Sequence, residues 1–107
     1  MKGLFELKEP PTAIICCTDH IAYQCLLALD RLGIEVPQRV SVIGYDGVRW
    51  PLDVRHRVAS VVVDFDHQAE AAVGLLIDGY EPGQSLTTPT TFDPGTTLGP
   101  ACNGAIK

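Results

Sequence analysis

Two short, uninterrupted apolar runs flank a helical pattern, and this arrangement restricts the fold more than any other feature. Ala13-Ile14-Ile15-Cys16-Cys17 is the first run and Val40-Ser41-Val42-Ile43-Gly44-Tyr45 is the second. Runs of this length without polar alternation suit strands buried on both faces of a parallel sheet. Between them, Thr18-Asp19 offers N-cap oxygens, and Ile21, Ala22, Cys25, Leu26, Leu29 and Leu32 recur at helical spacing up to Gly33, a natural C-cap. Strand, helix, strand over roughly thirty residues predicts a right-handed βαβ crossover.

A third apolar run, Val58 to Val63, leads into Asp64 and a helix whose expected core face is Phe65, Ala69, Ala72, Val73, Leu76 and Ile77. Gly79 and the Glu81-Pro82-Gly83 turn stop that helix. Val48 to Arg57, with Trp50-Pro51 and scattered charges, reads as a loop or short irregular helix. The Thr- and Pro-rich stretch from Leu86 to Leu98 suits one or two short β segments of poor pairing continuity. The predicted class is α/β, a parallel-sheet βαβ sandwich.

At 107 residues, 46% apolar, the chain supports one modest core. Its net charge of −5 argues against direct contact with nucleic acid, because phosphates require clustered Lys and Arg. No apolar run approaches the ~18 residues of a membrane span, and no secretory leader is evident. The four cysteines lack metal-knuckle spacing and resemble small buried thiols of a reducing compartment, which favours the cytoplasm. No cofactor is implied.

In an open α/β sheet, ligands bind beyond the carboxyl ends of the strands. That rule selects Thr18-Asp19, Asp46-Gly47 and Asp64-Phe65. Carboxylates accept paired hydrogen bonds from vicinal hydroxyls, and an aromatic ring covers the C–H face of a sugar, so this edge suits a polyol. Simpler roles compete: Thr18, Asp19 and Asp64 as helix caps, Asp46 as a turn residue, Phe65 as core. Asp64, Asp66 and His67 form no complete metal set, Arg49, Arg55, His56 and Arg57 suit a solvated surface, and Ser41 and Ser60 lack a nucleophile-elbow context. An enzyme is not expected.

The order Pro11-Thr12-Ala13-Ile14, Asp19, Ala22, Ala28-Leu29, Leu32-Gly33, and above all Val36-Pro37-Gln38-Arg39-Val40-Ser41-Val42-Ile43-Gly44-Tyr45-Asp46, resembles the sensor domain of LacI/GalR transcription regulators. The resemblance covers most of residues 11 to 99. It implies a fragment of a type I periplasmic-binding-protein-like fold, in which a small effector lies between two α/β subdomains. Residues of about 11–61 would then form the C-terminal subdomain, about 62–92 would pack on an N-terminal subdomain outside this sequence, and 93–107 would form the return and tail. Asp46 matches the aspartate that contacts the effector. Thr18 stands where the family has asparagine, Asp19 matches the aspartate after it, and Phe65 matches an aromatic position beside the effector.

The resemblance also implies a homodimer through the helix near Ile21, Ala22, Cys25 and Leu29 and the segment carrying Arg49, Trp50, Leu52 and Val54. The over-wide apolar stripe of the helix agrees with a second covering surface. Effector binding would reorient the subdomains and so control DNA binding by a helix-turn-helix that this sequence does not contain. Gly47, Arg57-Val58 and Asp93-Pro94-Gly95 depart from the family pattern, the last putting the final strand's pairing in question. Rival readings are a periplasmic sugar-binding protein of a transporter and an α/β enzyme using Asp19, Asp46 and Asp64.

Overall fold

The computed structural model describes residues 1–49 and 55–101. In chain order the elements are α1 (Lys2–Phe5), β1 (Ala13–Ile15), α2 (Asp19–Arg31), β2 (Ser41–Asp46), β3 (Ala59–Val63), α3 (Phe65–Asp78) and β4 (Thr90–Asp93). The strands form one sheet in the order β1-β2-β3-β4. The first three are parallel, with Ile15 beside Ile43 and Asp46 beside Val62. This confirms the expected α/β class and βαβ crossover.

Thr18, in extended backbone, caps α2 by accepting the Ile21 amide at 3.3 Å. Capping of this kind satisfies an amide that the first helical turn leaves unpaired. α2 lies on one face of the sheet and buries Ala22, Tyr23, Cys25, Leu26 and Leu29 against Val40, Val42 and Val58. Burying side chains of this size contributes about 1.5–3 kcal/mol each for Val and Leu.

The opposite face is covered only in part, at Ser41, Ala59 and Val63, which corrects the expectation of strands buried on both sides. Ile15 is 81% exposed, and Tyr45 and Phe92 are also exposed. α3 forms where predicted, capped by Asp64 accepting the His67 amide at 2.9 Å. The apolar row read as its core face meets nothing within the described residues: no residue of α3 is buried, and Val73, Leu76 and Ile77 are exposed. The reason is that α3 projects beyond the end of β3 with no second layer to meet it. The chain exposes 7663 Å², against roughly 5,800 Å² for a folded monomer of this size.

β4 also corrects an expectation. It pairs continuously with β3, antiparallel from Ser60–Asp93 to Val63–Thr90. Asp93-Pro94-Gly95 does not disrupt this pairing, because the Asp93 carboxylate accepts the Gly95 amide at 2.9 Å and the Arg57 guanidinium at 3.1 Å. The chain then returns between β2 and β3, where the fully buried Thr97 hydroxyl donates to the Val42 carbonyl at 2.6 Å and accepts the Ala59 amide at 2.8 Å.

Candidate functional site

Because β1, β2 and β3 are parallel, their carboxyl ends share one edge, and the three polar positions chosen from sequence are gathered there. Thr18 lies three residues beyond Ile15 and Asp46 three beyond Ile43, and Ile15 pairs with Ile43. The two residues are therefore level on neighbouring strand exits, which are spaced about 4.8 Å apart. Asp64 and Phe65 follow β3 at the same edge, and Phe65 is half exposed at 50%.

Asp46 stands out by its backbone. Its φ of +110° places an L-residue where side chains are rarely tolerated. Such a conformation costs of order 1–3 kcal/mol and persists where surrounding structure enforces it, often at binding sites. Gly47 follows at φ +82°, and a Cβ there would press on Val62. The glycine that departs from the family pattern is thus required by the turn itself.

Asp19 is turned inward and is 2% exposed. Its Oδ2 accepts the Gly47 amide at 2.8 Å, the Val48 amide at 2.8 Å and the Ser60 hydroxyl at 2.9 Å. Its Oδ1 lies against Gly44, where any Cβ would collide with it. Asp19 is therefore an internal anchor holding the chain that leaves β2, and Ser60 is its partner on β3. Ser60 was legible only as a hydroxyl inside an apolar run, a position that demands a hydrogen-bond partner when buried.

The residues expected at a dimer surface are divided. Ala22, Cys25 and Leu29 are buried within the chain's own core at 0%, 5% and 0% exposure, so they have no area to offer a second subunit. Their side chains face the sheet because α2 packs its i, i+3, i+7 row inward. Ile21 and Arg49 are exposed and remain available. Trp50, Leu52 and Val54 lie outside the described residues. Cys16 and Cys25 are free and buried, and Cys17 is free and exposed. Burial pushes the Cys25 thiol up to about 11, with Cys16 beside it adding to the rise.

A mostly parallel α/β sheet with polar loops and a strained aspartate at its carboxyl edge has the layout in which open α/β folds bind ligands. Among the described residues no helix is long and apolar enough to cross a membrane. Residues 1–98 match the model of the periplasmic binding protein-like domain, and the chain belongs to that family.

Within it, the chain is 35% identical over 78 residues to the HTH-type transcriptional repressor PurR of Erwinia tasmaniensis, covering 73% of this chain and 23% of that protein. The chain thus spans about a quarter of the length of the curated relatives it matches. A LacI transcriptional regulator from a Rhodococcus species superposes with a TM-score of 0.80 at 32% identity, over 94% of this chain and 38% of that one. A LacI family transcriptional regulator from Arthrobacter sp. FB24, solved with lactose, gives a TM-score of 0.73 at 26% identity over 90% and 37%. These likenesses bear out the resemblance to a LacI/GalR effector-binding domain. They do not favour the transporter reading.

Proposed function

We propose that the chain is the effector-sensing part of a transcription repressor that binds a sugar or similar small metabolite and controls operator binding by allostery. The observation that carries this reading is Asp46, held at φ +110° on the ligand edge of the sheet, level with Thr18. A carboxylate so placed accepts paired hydroxyls, Thr18 adds a hydroxyl and Phe65 an exposed ring. The likeness to a repressor and to LacI-type regulators supports the regulatory role and argues against catalysis.

In this reading the protein works in the cytoplasm as a homodimer, with Ile21 and the Arg49 segment at the subunit contact. Residues 62–92 provide α3 to a second subdomain. DNA is read by a helix-turn-helix elsewhere in the natural protein, since this chain's charge of −5 repels phosphate. Effector coupling of ~1–3 kcal/mol would change operator affinity about 5–150-fold.

The test is fluorescence anisotropy of the natural protein containing these residues on its own upstream DNA, with a panel of sugars, polyols and nucleosides. Tight binding altered by one compound is expected. A protein that binds a sugar but no DNA even at low salt would return the transport reading.

A further inference from the structure

We propose that a cavity at the C-terminal end of α2 is a second ligand site, for a small zwitterion of the aliphatic α-amino-acid class. The cavity has a volume of about 400 Å³ and is separate from the strand-exit edge that carries Asp46. α2 begins at that edge and runs away from it for 13 residues, which puts the two places roughly 20 Å apart at 1.5 Å per residue.

The lining defines the ligand chemistry. Asp30, in the last turn of α2, and Glu35, in the loop after it, supply negative charge, while Arg55 supplies positive charge. None of the three forms an ion pair among the described residues, where the ion pairs are Lys2–Glu6 and Arg57–Asp93. Leu26, buried, and Ile34, half-buried, add apolar surface to the same lining. The negative end of the α2 dipole reinforces the acidic side.

His56, half-buried, lies on the basic side. Burial lowers its affinity for a proton, Arg55 lowers it further, and Asp30 acts in the opposite sense. An ammonium group at Asp30 and Glu35, a carboxylate at Arg55 and an aliphatic side chain on Leu26 and Ile34 satisfy all three features together. A simple anion or cation would leave one wall unmatched, and a plain hydrocarbon would leave both.

Isothermal calorimetry on the natural protein containing these residues tests this with three probes: L-leucine, 4-methylpentanoate, which lacks the ammonium group, and 3-methylbutylamine, which lacks the carboxylate. Leucine is expected to bind, and each truncated analogue to bind at least about tenfold more weakly, as loss of a charge-assisted contact predicts. Asp30→Asn and Arg55→Gln, both at exposed positions, should each weaken leucine by a similar factor with an unchanged circular dichroism spectrum. Asp46→Ala should leave leucine binding intact, which separates this site from the effector edge. No heat from leucine at ~10 mM, equal binding of 4-methylpentanoate, or leucine binding unaffected by both charge substitutions would overturn the assignment.

Discussion

The carboxylate of Asp19 accepts the backbone amide of Gly47 at 2.8 Å, tying the first turn of α2 to the chain that leaves β2. The same oxygen holds Val48 and Ser60. Three donors converge on one buried oxygen, and the strained Asp46 sits immediately before the anchored amide. The geometry of this strand-exit edge thus depends on a residue whose carboxylate is turned inward. Asp19→Ala should destabilise the fold by about 3 kcal/mol, since it leaves buried donors unpaired. Urea denaturation checks this, and a loss below about 0.5 kcal/mol, the range of ordinary surface substitutions, would remove the anchor role.

Gly44 should tolerate no side chain. A Cβ at this position collides with Asp19 Oδ1 and closely approaches Val58. Gly44→Ala is expected to cost about 1–3 kcal/mol through overpacking against a group that cannot move without breaking its hydrogen bonds. The combination with Asp19→Ala should cost less than the sum of the two, because the clash disappears with the carboxylate. Strict additivity in denaturation experiments would contradict the contact.

Thr97 joins β2 to β3 through one hydroxyl. Thr97→Val keeps the shape and removes both hydrogen bonds, so a loss of about 1–3 kcal/mol is expected. Faster amide exchange at Ala59 should accompany it, and unchanged exchange would show that the bridge is dispensable.

The thiols should separate by reactivity. Cys17 is exposed, whereas Cys25 is buried with its thiol pushed up to about 11 from 9.0. Iodoacetamide at pH 8 should alkylate Cys17 before Cys25, and mass spectrometry of the digest reads the order. The raised value also sets a pH dependence. The folded state holds the Cys25 proton where the unfolded chain releases it, so this contribution to stability is full below 9.0 and is lost as pH rises toward about 11. Cys25→Ala should flatten that alkaline decline.

Much of the fold was legible because its signals are local. The apolar runs, the Thr18 and Asp64 caps and the Gly33 and Gly79 stops each act within a few residues, and the elements appeared near their expected positions. The single-sided sheet was not legible, since Ile15 and Tyr45 read as buried whether or not a second layer exists. Nor was the inward turn of Asp19: an aspartate after a strand reads equally as a cap, a ligand or an anchor, and only its position beneath Gly44 and beside Ser60 decides among them. The resemblance implies a subunit contact through Ala22, Cys25 and Leu29, and the wide apolar stripe that agrees with it does not reveal which part faces the chain's own sheet.

The most direct test of the central claim is a paired measurement on Asp46→Gly, comparing thermal stability with calorimetric binding of the sugar or other compound found to alter DNA binding. A residue held at φ +110° for its carboxylate should lose the ligand when replaced by glycine, yet gain about 1 kcal/mol of stability as the strain is released. Retained binding, or a clear loss of stability, would show that Asp46 serves the turn and that the ligand edge lies elsewhere.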